Sequence, residues 1–176
     1  MTPAARISAA IELLDAIIAA AHSGGSSADA LIAQYFRTRR YAGSKDRRAV
    51  RDLVFATMRA LGDVPVSGRA AVLGYAQAAD PALLTLFTGE GHAPAPLVAG
   101  EAIAAPGFAP AWLLDKLAPV FGDQAAHHIA ALQARAALDV RVNVLRSDVE
   151  TVCAALPDAQ RLDGLPHALR LAQSQM

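Results

Sequence analysis

The sequence carries one cysteine, Cys153, in 176 residues. No intramolecular disulfide can form, so the fold must rest on its core, and a reducing setting is expected. Aromatic residues are scarce at 5 % and charged residues at 18 %, while hydrophobic residues reach 54 %. That balance excludes an intrinsically disordered chain, and much of the apolar excess is alanine, which favours helix and adds little bulk. Also missing is any uncharged apolar run of about 18 residues, the length a membrane span requires. The opening MTPAARISAAIELLDAIIAA is apolar, but Glu12 and Asp15 interrupt it. Thr2-Pro3 fits a helix cap and a first helical position rather than a secretory leader. No membrane association and a cytoplasmic location are the expectations.

Catalytic signatures are equally sparse. Neither GxGxxG nor a P-loop occurs, and the glycines at Gly24-Gly25 and Gly89–Gly91 follow no strand. His127 and His128 are adjacent, so on a helix they project about 100° apart and do not converge on one metal. Cys153 shares the apolar side of a short helix with Val149 and Leu156, which reads as a buried structural thiol. Asp158 and Asp163 fall in loops and form no evident acid–base pair. Without a convergent nucleophile, base and orienting group, a free-standing enzyme is a poor reading. No catalytic residue, cofactor ligand or metal ligand is assigned.

The periodicity predicts a helical front. A first helix over about Pro3–Ala21 carries Ile7, Ile11, Leu14, Ile17, Ile18 and Ala21 on one stripe. Ser27 caps a second over Ala28–Thr38, with Leu31, Ile32, Tyr35 and Phe36 inward. Ser44 is the expected cap of a third, Lys45 to Leu61, with Val50, Leu53, Val54, Thr57, Met58 and Leu61 on its apolar face. The Thr57 hydroxyl is expected to bond the preceding turn. Ser67 caps a fourth helix to about Ala78, and Asp80-Pro81 opens a short fifth. Residues 88–110 are rich in Gly, Pro and Ala, with at most a short helix near Pro96–Ala104. Pro110 starts a helix that ends at Gly122 and includes a core Trp112, and Asp123 caps another to about Arg135. The period then changes. Leu138–Leu145 alternates as a strand, Ser147 caps a short helix to Leu156, and one or two short strands are broken by Gly164 and Pro166. The fold class is mainly α, a helical bundle followed by a short β-α-β segment that looks cut off.

The net charge of zero conceals a segregation. Arg37, Arg39, Arg40, Lys45, Arg47, Arg48 and Arg51 stand around one acid, Asp46, so this stretch carries +6 and the rest of the chain −6. On the third helix Arg47, Arg48, Arg51 and Arg59 share an arc of about 120°, with Phe55 inside it. Lys45 and Arg47 stand in a first turn where the helix dipole disfavours them, a local conflict that points to a purpose other than helix stability. Arginines feeding a helix N-terminus make a phosphate-binding surface, and Tyr41 and Phe55 offer rings that can stack on bases. The competing reading is a solvated basic face, with Phe55 packed under its neighbours. The seven basic residues are the candidate RNA-binding set.

The segment YFRTRRYAGSKDRRAVRDLVFATMR (Tyr35–Arg59) resembles the front of bacterial RNA 5-methylcytosine methyltransferases of the Fmu/Sun/RsmB type. Arg6-Ile7-Ser8-Ala9-Ala10 with Leu13-Leu14 is similar to their first helix. PAWLLDKLAPVFG (Pro110–Gly122) and RAALDVRVNVLRSDVETVCAAL (Arg135–Leu156) resemble a later helix and an Arg-Val-Asn strand, with Val144 and Arg146 replacing a threonine and a lysine. The resemblance implies a NusB-like helical domain over 1–90, a connection over 91–109, and a helical pair with a partial RRM-like subdomain over 110–176. It also implies a parent enzyme whose S-adenosylmethionine domain, glycine-rich loop and two catalytic cysteines stand beyond this segment. Cys153, in Thr-Val-Cys-Ala-Ala, matches neither cysteine context.

The implied function is a non-catalytic fragment that binds and positions structured RNA, with ribosomal RNA as the expected class. Its cis partner would be the methyltransferase domain, which would bind the cofactor. The alternative is a protein-interaction module that docks a catalytic domain or another partner.

Overall fold

A computed structural model of the chain describes residues 1–133 and 136–171. These divide into two compact units after Gln133.

The first unit is helical. Helix α1 (Pro3–Ser23) starts where the Thr2 hydroxyl accepts from the Ala5 amide and Pro3 fixes the first turn; it ends at Gly24 in the left-handed region. Helices α2 (Ala28–Thr38), α3 (Ser44–Ala60) and α4 (Gly68–Ala79) pack around it. A 3-10 turn at Pro81–Leu86 follows, then α5 (Ala111–Phe121), a 3-10 turn and α6 (Ala125–Gln133). The core gathers Ile7, Leu13, Leu14, Phe36, Val50, Val54, Val72 and Leu73.

The buried face of α1 is turned from the expected stripe. Ala9, Ala10 and Leu13 are buried, whereas Ile17 and Ile18 are half-exposed and Ala21 is exposed. The alanine side is where α4 crosses. Gly68 lies against the α1 backbone, and its amide donates to the Asp15 carboxylate at 2.6 Å. Small side chains on both helices permit that approach, and a stripe counted on bulk alone misses it.

Thr57 departs from expectation in a different way. It is fully buried, and among the described residues its hydroxyl meets no partner instead of bonding the preceding turn. A buried, unbonded hydroxyl is costly, so Thr57→Val should raise the unfolding free energy by about 1 kcal/mol. Urea unfolding should show a higher midpoint at unchanged slope; a lower midpoint would show that the hydroxyl has a partner in solution.

The span after the 3-10 turn contains no helix at Pro96–Ala104. It is extended and tied to the helices through its backbone. The Ala104 amide donates to the Ala70 carbonyl at 3.0 Å, and that of Gly107 to the Ala60 carbonyl at 2.9 Å. Arg69 holds it as well, donating to Glu101 at 2.6 Å and to the Ala95 and Pro96 carbonyls. Glu101 is held below the usual carboxylate range chiefly by the Arg69 hydrogen bond.

Trp112 does not enter the core. It is 61 % exposed, with the Lys116 ammonium 6.0 Å from its ring. Helix α5 packs on α6, which is only nine residues long, and no α5 residue is fully buried. Its apolar residues lie on more than one side, and one short neighbour covers only part of them.

The second unit is a three-stranded antiparallel sheet with one helix. Strands β1 (Leu138–Arg141), β2 (Gln160–Arg161) and β3 (Ala168–Leu171) lie in the order β1-β3-β2, with α7 (Val149–Ala155) between β1 and β2 in sequence. Since both outer strands run against β3, β1 and β2 are parallel, joined by a helical crossover, and β3 returns between them. Fully buried Leu169 on β3 centres a small core with Val142 and Val149. Asp139 and Arg170 face each other across β1 and β3, and pair at 2.7 Å and 2.8 Å. Strand β1 is shorter than the alternation predicts. Asn143 accepts from the Leu145 amide through its side chain and from the Arg146 amide through its carbonyl, and this turn leaves Leu145 at the surface. The cap of α7 is Asp148 rather than Ser147, accepting from the Thr151 amide at 2.7 Å. Cys153 is half-buried beside the small core rather than fully enclosed.

Candidate nucleic-acid interface

The basic cluster lies on α2, the loop 39–43 and the first two turns of α3. Ala42, only 2 % exposed, anchors this loop in the helical core, and its amide donates to the Arg39 carbonyl at 3.1 Å. The loop is thereby a fixed edge, with its long side chains directed outward.

Asp46 sits among the basic residues but is committed elsewhere. Its carboxylate accepts from the Met1 ammonium at 2.9 Å and from Arg6 Nε at 3.0 Å. Those hydrogen bonds, the ammonium's first, hold it below the usual carboxylate range. The same carboxylate accepts from the Gly43 amide at 3.3 Å. The N-terminus of α3 is therefore capped by Asp46 acting back on Gly43, not by a Ser44 hydroxyl, and the helix begins at Ser44. This also resolves the dipole conflict: a carboxylate in the first turn offsets Lys45 and Arg47. The expected contribution of open α3 amides to anion binding is reduced accordingly.

The seven basic residues separate into groups. Arg39 pairs with Glu12 of α1 at 3.0 Å, and Arg51 pairs with Asp29 of α2 at 3.1 Å. Arg47 donates through Nε to the Ala42 carbonyl at 2.8 Å, which leaves its charge without a carboxylate. Arg37, Arg40, Lys45 and Arg48 are exposed and have no ion pair among the described residues. The Arg51 pair is exposed on both sides and holds its partners weakly against a competing phosphate.

Between α2 and α3 the same residues border a cleft of about 440 Å³, lined by Asp29, Ile32, Ala33, Phe36, Arg37, Arg47 and Arg51. Three arginines thus rim an apolar floor. The Arg47 guanidinium lies 5.8 Å from the Phe36 ring centre, and that of Arg51 lies 5.7 Å from Phe55. Phe55 itself is half-buried against the core, while Tyr41 is 72 % exposed. Of the two rings singled out in the sequence, only Tyr41 is free to stack. Arg48 and Lys45 are exposed on α3 and do not line the cleft; Arg59 lies about two turns beyond the rim residue Arg51 on the same helix. Sequence reasoning missed the cleft, because its floor is made of residues that simply read as core.

His127 and His128 stand with ring centres 6.0 Å apart, and His128 tilts against Phe121 at 4.7 Å. Among the described residues no group of three or more His, Cys, Asp or Glu side chains is placed to hold a metal, and no helix is long and apolar enough to cross a membrane.

The β-α-β-β order of the second unit, with its third strand placed between the other two, is the opening of a ferredoxin-like arrangement. Residues 109–176 match the family model described as Methyltr_RsmF/B-like, ferredoxin-like domain. That segment, which is less than half of the chain, is similar to this methyltransferase-related domain family. Its position behind a helical front fits the N-terminal region of an rRNA cytosine-5-methyltransferase, and the helices of residues 1–133 are consistent with a NusB-like domain. Neither the curated proteins nor the solved structures gave a match.

Proposed function

We propose that this chain is an accessory, RNA-positioning region of an S-adenosylmethionine-dependent rRNA cytosine-5-methyltransferase. In this reading the methyl transfer belongs to a catalytic domain in cis, and the chain contributes phosphate contacts that fix register. The observation that carries it is the α2–loop–α3 surface, where Arg37, Arg40, Lys45, Arg47 and Arg48 have no carboxylate partner among the described residues and stand on a fixed edge. Unpaired arginines and lysines on a rigid frame are what phosphate recognition needs, and a merely solvated face would gain nothing from the anchored loop.

The test is the affinity of the chain for a ribosomal stem-loop RNA as salt rises from 50 to 200 mM. With about four phosphates contacted, binding should weaken about 50- to 150-fold. A second reading, docking of a catalytic domain, draws on α5, which has no buried residue and leaves Trp112 at the surface. Salt-insensitive RNA association, together with binding of a separately added methyltransferase domain, would replace the RNA reading with that one.

A further inference from the structure

On the other side of the loop from the α2–α3 cleft lies a second, larger one of about 630 Å³, within the size range of small-molecule sites. Its wall is a stacked pair: the Arg39 guanidinium lies 3.6 Å from the centre of the Tyr35 ring. The pair is locked by Glu12, whose Oε2 accepts from the Tyr35 hydroxyl at 3.0 Å and from Arg39 at 3.0 Å. Burial and the Glu12 hydrogen bond push the Tyr35 hydroxyl well above the ordinary tyrosine range, so it stays a donor. Tyr41, two residues beyond Arg39 on the same anchored loop, also lines the cleft and is 72 % exposed. The rim is closed by the turn at His92, whose carbonyl accepts from the Ser8 hydroxyl at 2.8 Å.

The electrostatics here differ from those of the neighbouring surface. Arg39 is already balanced by Glu12, so this cleft offers a phosphate no unpaired charge. It offers two flat faces, and the carboxylate's second oxygen, Oε1, which takes no hydrogen bond from any described residue. Flat faces suit a planar ring, and an unfilled carboxylate oxygen suits an N–H on that ring's edge.

We propose that this cleft takes one unpaired nucleobase bearing an exocyclic amine, held between Tyr41 and the Arg39–Tyr35 stack with its amine on Glu12. The inference rests on the RNA reading: the strand that supplies the base is the one whose phosphates lie on the unpaired basic residues of the same loop. Cytosine fits better than uracil, because cytosine offers Glu12 a two-hydrogen amine, whereas uracil offers a single ring N–H flanked by two carbonyl oxygens that repel the carboxylate.

The experiment is fluorescence anisotropy of the whole chain with labelled 12-nucleotide oligo-C, 12-nucleotide oligo-U and a 12-base-pair RNA duplex. Oligo-C should bind about tenfold more tightly than oligo-U. Tyr41→Ala removes an exposed ring that the fold does not need. It should weaken oligo-C about tenfold while leaving duplex affinity and its salt slope unchanged. Glu12→Gln should bring the oligo-C to oligo-U ratio close to one. An equal loss on duplex and single strand, or no loss for Tyr41→Ala, overturns the base site. The two proposals separate cleanly. If reversing the charges of the α2–α3 cleft abolishes RNA binding while Tyr41→Ala does nothing, only the base site falls. If charge reversal leaves affinity intact, the RNA reading itself falls.

Discussion

The Arg37→Glu, Arg47→Glu, Arg51→Glu triple variant should lose RNA affinity by about 100-fold or more at 100 mM salt. Each reversal removes a phosphate contact and adds repulsion, so the slope of log affinity against log salt should shrink by about three. The three residues rim one cleft but differ in what they do for the fold. Arg37 makes no hydrogen bond or ion pair among the described residues, so Arg37→Glu alone should weaken RNA about tenfold without moving the melting temperature. Arg51 loses an exposed pair with Asp29 and its place over the Phe55 ring, each worth little to stability. Arg47 gives up a bond to the Ala42 carbonyl, so its single variant should also loosen the loop. The helical far-UV signal and the Tm of the triple variant distinguish lost contacts from a lost fold. A folded triple variant that binds RNA with unchanged affinity would show that this surface is not where RNA sits.

The chemistry of this region was legible in the sequence because charge survives projection onto one dimension: seven basic residues around one acid remain a cluster however the chain folds. What one dimension hid was pairing. Nothing in the spacing shows that Asp46 turns to the Met1 ammonium and Arg6, forty residues away, or that Arg39 alone among the cluster finds a carboxylate on α1. The helices were legible for a similar reason. Thr2-Pro3, Ser27 and Ser67 each supply a cap from side chains within three residues, and local signals of that kind read directly. Errors fell where two signals competed locally or the answer lay in tertiary contact. Ser44 and Ser147 are good caps in isolation, yet an acid two positions after the first and one position after the second supplies the carboxylate. Alternation carried the strand prediction past Asn143, whose own side chain turns the backbone. Trp112 reads as core on an apolar helix, yet nothing in the sequence shows whether a neighbour exists to cover it.

The α1–α4 crossing leaves no room for a side chain at Gly68, and Gly68→Val should be strongly damaging to stability. A Cβ at position 68 would stand 2.9 Å from the Asp15 amide nitrogen and 3.0 Å from the Leu14 Cβ, and closer still to the Ile11 carbonyl. Those obstacles are backbone and core, neither of which yields as a surface side chain would. Even Gly68→Ala should therefore cost about 3 kcal/mol, at the upper end for overpacking, and lower Tm by roughly 10 °C. Valine adds two branches in the same place and should leave the helical unit unfolded at 37 °C. The comparison variant is Gly43→Ser, another glycine at a helix start. There an added Cβ meets only the Asp46 carboxylate at 3.8 Å, and the φ of −68° suits any residue. A serine at this cap position should be neutral or slightly stabilising. Thermal unfolding followed by far-UV CD reads both, because both glycines stand at helix starts of the helical unit. If Gly68→Ala melts with the parent, α1 and α4 do not approach as closely as the Gly68–Asp15 contact requires. The alanine-lined face of α1 would then have to be buried by something else.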